Sequence, residues 1–517
     1  MIKPGLLLLL YLPFQVFAQQ NLLPISSFYK DQLLTPRSNS YVLKSSFYPR
    51  SEGEYNLHSL IRDSSKQYYQ FTERLFKQHL FEIKGEGYNM SISPILNFAL
   101  GKDSEDTNTR RLFNNTRGFL VEVDLLDKFS FSTALYENQN RFTQYESTYF
   151  KSVGERYPKA IDSTYFVDNA MIPGGARTKP FKVDGFDYAY AIGNVVYAPN
   201  AHLRIMAGNN ANFVGEGYRS LFLSDNSVPS IYGRADITFA KRFDYTILRS
   251  KQFNLLRRQV YNTVEAYYEA KLFSCQFLNF RASDKLSISL FDGSYWNVGD
   301  SVSSAKVDGA YYIPLPFIGG LLANNPQKVN MLSGLQINYL PIANVRLYGQ
   351  MALSNWNNKS IGSQIGVRYY NPFGLKKGML QLEYNNVPKR LYVSKNSRLN
   401  YSASNLPSAH PKGNGFQEYI LRFNYSKKRW YADVKSILYQ LKDYEANNLV
   451  ASNYNLSAIS GSIYHQQTEL GYRFNKKMNL ELFVQHLYRT SSLAGEAQTN
   501  AIYFGLRTGL INHYNDF

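Results

Sequence analysis

The chain has 517 residues and carries 57 Lys and Arg against 39 Asp and Glu, a net charge of +18. Its one Cys, Cys275, excludes an intrachain disulfide framework and a Cys-rich metal site. Beyond the N-terminus no apolar run approaches the roughly 18 residues that a membrane helix needs.

The N-terminus reads as an export signal. Lys3 precedes an apolar run from Leu6 to Leu10 and on to Phe14, and Val16-Phe17-Ala18 stands before Gln19. A basic n-region, a short h-region and a small residue at the cut describe a signal peptide over 1–18. No Cys at the cut offers a lipid anchor. Residues 19–82 carry Pro24, Pro36 and Pro49 and no strand pattern. Within them Ser64 to Phe81 is expected to be helical, because Tyr68, Phe71, Leu75, His79 and Leu80 fall near one face. In an exported chain this segment is expected to be periplasmic, or to plug a barrel.

From Tyr88 onward the period becomes two. Phe119, Val121, Val123 and Leu125 oppose Glu122 and Asp124; Tyr419, Leu421 and Phe423 oppose Glu418 and Arg422; Leu480, Leu482 and Val484 oppose Glu481 and Gln485. Each candidate strand has one apolar and one polar face. A soluble antiparallel sheet gives the same alternation. The joins separate the two. Tight turns at Asp127-Lys128, Pro199-Asn200, Ser283-Asp284, Lys427-Lys428 and Lys476-Lys477 alternate with long loops at 138–186, 209–234, 293–332, 387–415 and 441–465. Short turns on one side and long loops on the other mark an outer-membrane barrel, and an excess of aromatic residues (43 are Tyr) suits its interfacial girdles.

Residues 83–517 are therefore expected to form an all-β, antiparallel transmembrane outer-membrane β-barrel of about 18 strands, with long extracellular loops and both termini periplasmic. The Lys pairs at 376–377, 427–428 and 476–477 are expected at the periplasmic rim, where they reach anionic headgroups. The stretch 254–270 reads as a helical loop insertion. The last strand candidate, 500–512, alternates, and the chain ends on Phe517; together these look like a recognition signal for the outer-membrane assembly machinery. The positive charge suits outer-membrane lipid, lipopolysaccharide or acidic glycans. An exported chain with no nucleic-acid module excludes nucleic acid.

One loop is dense in Gly, Asn and opposite charges, Ala207 to Ser227. Its Gly215-Glu216-Gly217-Tyr218-Arg219-Ser220 approximates a dinucleotide fingerprint, but Ser220 replaces the third Gly and no helix pattern comes after it. Phe213, Tyr218, Leu221, Phe222 and Leu223 need burial, so 208–227 is expected to fold into the lumen. Arg219 is then expected to bridge to Glu216, Asp225 or a lumen carboxylate such as Glu418 or Glu481. Such a loop serves either as a plug or as a ligand site. In the second case Glu216, Arg219 and Asp225 hold charge, Asn209, Asn210 and Asn226 bond sugar hydroxyls, and Tyr218 stacks on a ring.

Gly215-Glu216-Gly217 followed by Ser220-Leu221-Phe222-Leu223-Ser224-Asp225-Asn226 resembles the Gly-containing segment and Ser-Leu-x-Leu-Ser-x-Asn run of the capsule assembly (Wzi) family of outer-membrane barrels. The Trp that the family carries shortly before the Gly pair is absent, and Phe213 stands nearby. The resemblance implies an eighteen-stranded barrel that holds or organises surface polysaccharide. Within that family the chain looks closest to a gliding-motility branch of Bacteroidota, which implies motility or secretion machinery as partners. The alternative is a channel or porin. Seven His are scattered without an HExxH or a Gly-x-Ser-x-Gly elbow, so no catalytic residue, metal or cofactor is expected.

Overall fold

Along the strands, apolar residues face outward and polar residues inward, the reverse of a water-soluble sheet. Leu100, Ile231, Ile365, Leu470 and Phe504 are exposed, while Gln336, Asn338, Gln364, Arg368 and Glu418 are buried. Lipid suits the first group, and a closed interior shelters the second. This inversion decides between the two readings that alternation alone left open. The structure is a computed structural model. It describes residues 20–26, 30–31, 44–52, 70–106, 110–159, 162–257, 268–299, 306–323, 325–354, 360–451, 458–509 and 515–517.

Among the described residues, eighteen antiparallel strands close a barrel. The first nine are β1 Tyr88–Asp103, β2 Arg111–Leu125, β3 Phe129–Arg141, β4 Gly185–Asn200, β5 Leu203–Asn210, β6 Ser230–Phe239, β7 Phe243–Arg257, β8 Tyr268–Arg281 and β9 Leu286–Asn297. The circuit continues through β10 Val329–Ile342, β11 Val345–Ser354, β12 Ile361–Tyr370, β13 Gly378–Val387, β14 Phe416–Lys427, β15 Trp430–Tyr444, β16 Ile459–Asn475, β17 Leu480–Ser491 and β18 Thr499–Thr508. β18 closes on β1 with Leu506 opposite Phe98. At one end the joins are short, from 201–202 to 371–377; at the other lie 142–184, 211–229, 298–328, 388–415 and 445–458. The three Lys pairs fall at the short-turn end, with Lys377 and Lys428 at positive φ inside the turns.

Stacked aromatic residues also gather at that end. Phe129 lies on Tyr197 at 4.5 Å, Phe243 on Phe280 at 4.8 Å, and Trp430 meets Tyr472 at 5.0 Å. Amphipathic rings of this kind favour the headgroup layer.

Two expectations of secondary structure are corrected. Residues 254–257 continue β7 and 268–270 begin β8, so both ends of the expected helical insertion are strand; 258–267 lie outside the described residues. The N-terminal helix α1 runs Gln70–Lys77, and Phe81 opens a strand, Phe81–Gly85, that pairs back on β1. The part of that helix expected over 64–69, like the signal over 1–18, lies outside the described residues. α1 ends where the Asn475 side chain donates to the carbonyls of Arg74, Leu75 and Gln78 at 2.8–3.3 Å. Asn475 ends β16 beside a short turn, which fixes α1 to the short-turn end.

The C-terminus is the third correction. β18 stops at Thr508, short of the expected 512, and the chain does not close on Phe517 at the rim. Residues 515–517 stand inside the lumen, where Asp516 meets Arg219 and Lys435. They reach the loop-end helix α2, Gln144–Ser152, where Phe517 is buried against Tyr145, Tyr149 and Phe150.

Candidate functional site in the barrel lumen

The loop after β5 folds into the barrel. Phe213–Val214 pairs antiparallel with Phe47–Tyr48, so an N-terminal strand and the loop enter the interior together. Gly215 has φ +144 and donates its N–H to the Ser46 carbonyl at 3.0 Å. Only a residue without Cβ suits that position, because a Cβ would stand 2.6 Å from Gln350 Nε2. The N–H groups of Tyr218 and Arg219 then both donate to the Glu383 carboxylate, at 2.7 and 3.0 Å. This is an anion nest of the kind that cradles phosphate, already filled by a carboxylate of the barrel wall. Ser220 explains the missing third Gly. Its Oγ accepts from the N–H of Phe222 and of Leu223 and donates to the Val214 carbonyl, closing a side-chain turn.

Apolar burial locks the next residues of the loop. Phe222 stacks on Phe291 at 4.7 Å, in space left by Gly334. The hydroxyls of Tyr392 and Tyr401, from the loop 388–415, donate to the carbonyls of Leu221 and Phe222. Leu221 and Phe222 are fully buried.

Arg219 is the hub, 1% exposed. Its Nε donates to Glu418 at 3.1 Å and its Nη2 to Asp516 at 2.7 Å and Tyr439 at 2.9 Å. Glu418 was among the expected partners; Asp516 was not, because nothing in the sequence brings the C-terminus into the lumen. Asp516 also receives Lys435 Nζ at 2.6 Å and the Tyr218 hydroxyl at 2.6 Å. Glu216 pairs instead with Arg346 at 2.8 Å and Asn338 at 3.1 Å. Glu481 binds Arg473 and Arg507 on the wall. Asp225 meets Ser224 Oγ, and Asn226 donates to the Pro407 carbonyl. Asn209 and Asn210 stand on β5, not in the loop. Asn210 shares the inward parity of Met206 and donates to Asn194, whereas Asn209 has the outward parity of Ile205 and donates to the Ala191 carbonyl. The seven candidate residues therefore do not form one cluster. Of them, Tyr218 alone lines a cavity of about 300 Å³ that runs along β1 to β4 and β14 to β18.

Electrostatics stem from burial. Burial raises the Asp516 carboxyl, but Arg219, Lys435 and His465 outweigh it and hold it well below the usual range. Burial lowers His410, which contacts Glu418 at 2.7 Å. Burial, with Arg368 nearby, lowers the Lys30 ammonium to about 7 although its Nζ donates to the Gly217 carbonyl at 2.7 Å. Lys30 also lies 3.6 Å above the Phe213 ring.

The lumen is thus divided. On the side nearest β5 to β14 the loop, 44–52 and 388–415 enter the lumen, and a cavity of about 200 Å³ is left beside β5 to β8, lined by Lys44, Arg50, Arg204 and Asp236. Along β1 to β4 and β14 to β18 the cavity of about 300 Å³ persists. α2 and residues 515–517 meet at its loop end, with the Tyr145 hydroxyl donating to the Asn515 carbonyl and Asn515 Nδ2 to Glu146. Among the described residues no group of three His, Cys, Asp or Glu stands close enough to hold a metal ion.

No family model matches the chain, and no curated protein does. Solved structures do. The Escherichia coli protein Wzi, described as a carbohydrate-binding β-barrel of the outer membrane involved in group 1 capsule assembly, superposes with a TM-score of 0.54 at 12% identity, over 94% of this chain and 99% of that one. OprD of Pseudomonas aeruginosa gives 0.44 at 12% identity, over 82% and 96%. OccK2 of the same organism gives 0.44 at 9%, over 81% and 96%. At these identities the likeness speaks for the fold alone, and the fold is a closed, antiparallel, eighteen-stranded outer-membrane β-barrel similar to that of Wzi.

Proposed function

We propose that this chain is an integral outer-membrane barrel that binds and organises surface polysaccharide and does not act as an open channel or an enzyme. In this reading the signal 1–18 is removed on export and the short turns face the periplasm. Part of the segment 19–82 threads the lumen as a plug. The long loops face the cell exterior, beside lipopolysaccharide. A service to gliding motility, with its machinery as partner, belongs to the same proposal.

The observation that carries it is the filled interior. Three separate stretches occupy one half of the lumen, and a helix and the C-terminal residues roof the other. Arg219, Glu216, Asp225 and Asn226 have protein partners, which supports the plug role for them and leaves Tyr218 as the loop's contact to any ligand. The likeness to a barrel described as carbohydrate-binding supports the polysaccharide.

The test has two parts. Purified wild-type protein is expected to give almost no steady conductance in a planar bilayer, and a strain lacking the chain is expected to shed surface polysaccharide. Steady wild-type conductance overturns the reading in favour of a channel. Unchanged polysaccharide in the deletion strain removes the surface role.

A further inference from the structure

We propose that the open half of the lumen is a binding site for a neutral saccharide segment. This rests on the polysaccharide reading and deepens it by naming a site and a ligand class.

The wall supplies an aromatic ladder. Tyr136 on β3 and Tyr190 on β4 are cross-strand partners whose rings stack at 4.7 Å with 9° between planes. Tyr188, two residues along β4 and on the same face, lies 6.4 Å from Tyr190 at 5°. All three line the cavity, and Tyr190 is only half-buried. The stack holds the Tyr190 ring at the edge of a polar cavity, where it offers apolar surface to a sugar ring beside hydroxyls that can bond its edge.

Elsewhere the cavity carries polar atoms with no hydrogen-bond partner among the described residues. His465 on β16 is 2% exposed and lines the cavity, yet neither ring nitrogen has a hydrogen-bond partner among the described residues. Asn97 Oδ1 and Asn479 Oδ1, on the same cavity, are buried and unbonded as well. A buried polar group without a hydrogen bond is destabilising and calls for a partner. An imidazole offers one donor and one acceptor when neutral, and the two amide oxygens offer acceptors, the complement of sugar hydroxyls. Water satisfies such atoms too, but water makes no use of an aromatic ring at the cavity edge.

Charge selects the neutral class. The cations of the cavity are paired: Arg507 with Glu469 and Glu481, Arg473 with Glu481, Arg422 with Asp31 and Asp433, Lys435 with Asp516. Asp516 and Asp31 are further paired with Arg219 and Arg368, so each of these cations already has a carboxylate of the protein and a glycan carboxylate would have to compete for it. The +18 of the whole chain is not expressed here.

The full-length protein in detergent is titrated with maltotriose, cellotriose and trigalacturonate, read by calorimetry and saturation-transfer NMR. The expected result is binding of a neutral trisaccharide at least ~10-fold tighter than trigalacturonate. Tyr190→Ala and His465→Leu are each expected to weaken it ~10-fold or more, while the heat-modifiable gel shift of a folded barrel is kept. Tyr190→Phe, which preserves the ring, is expected to bind and covers the case in which Tyr190→Ala does not fold. Binding of neither neutral probe, preference for the acidic one, or indifference to both Tyr190→Ala and His465→Leu overturns the site. Cells separate the two readings. If Tyr190→Ala cells retain their polysaccharide and the purified protein binds no trisaccharide, the cavity site falls and the surface role stands. If cells lacking the chain keep their polysaccharide, the surface role falls and the titration still decides the cavity.

Discussion

Replacing Arg219 by Ala tests the ion cluster that ties the loop to the C-terminal residues. The side chain donates to two buried carboxylates, to a tyrosine hydroxyl and to the Asp516 carbonyl. Removing one member of a buried pair costs about 3–5 kcal/mol, chiefly because the other charge is left behind. Here both anions keep partners. Glu418 retains His410 and Asn385, and Asp516 retains Lys435 and Tyr218. The lower figure therefore applies, about 3 kcal/mol, and at 1.4 kcal/mol per decade it shifts the release of residues 515–517 by roughly 100-fold. Hydrogen exchange at Asp516 and Phe517 is expected to accelerate by that factor, and brief conductance openings to appear, with the barrel still heat-modifiable. Asp516→Asn added to Arg219→Ala is expected to cost much less than the sum of the two single effects, because either change removes the same pair. Unchanged exchange at the C-terminus, or strictly additive effects, would refute the coupling. If Arg219→Ala abolishes polysaccharide retention with the barrel folded and closed, Arg219 is a ligand contact and the plug reading of this residue is wrong.

Lys30 gives the plug a pH dependence. Its folded pKa is about 7, against 10.5 unfolded, so between those values the unfolded state binds more protons and stability rises with pH; below about 7 the effect is flat. Protection of the Ser46–Tyr48 amides, corrected for intrinsic exchange, should rise from about pH 7 to about pH 10 in wild type and rise less in Lys30→Met; identical pH profiles would exclude Lys30 as the source. Gly217→Ala places a Cβ 2.7 Å from both the Arg219 carbonyl and Glu383 Oε2, so it should loosen the nest by about 1–3 kcal/mol and deprotect the Tyr218 and Arg219 amides, and undiminished protection would count against the nest.

The barrel was legible because its physics is local. Lipid outside and packed polar groups inside force a period of two, and each tight turn announces itself with Asp, Asn or Lys. The strands lengthen beyond the expected limits where they pass the bilayer. β15 reaches Tyr444 and β16 begins at Ile459, and there neither face must be apolar. The same reasoning explains the error at 254–257 and 268–270, the two described ends of the expected helix. Val260, Val264 and Tyr268 mimic a helical face, but β7 and β8 project past the membrane, where alternation is no longer enforced.

The site was legible only in part. That the loop must enter the lumen followed from its own apolar residues, and that Arg219 must find a carboxylate followed from the cost of a buried charge. Which carboxylate it finds depends on register around the barrel. Glu383 and Glu418 meet the loop because β13 and β14 are neighbours, with Asn385 opposite Glu418, and alternation within a single strand carries no such information. Asp516 lay further out of reach. A terminal Phe after an alternating run has two physical solutions: to end the last strand at the membrane interface, or to leave the strand and bury itself. Residues 500–517 permit both. The selection of the second is made at a distance, by a Tyr145–Phe150 pocket on α2 and by the buried cations Arg219 and Lys435, which need an anion beside them. The C-terminal residues therefore act as a strut between two stretches, the lumen loop and the loop-end helix, that no local pattern connects.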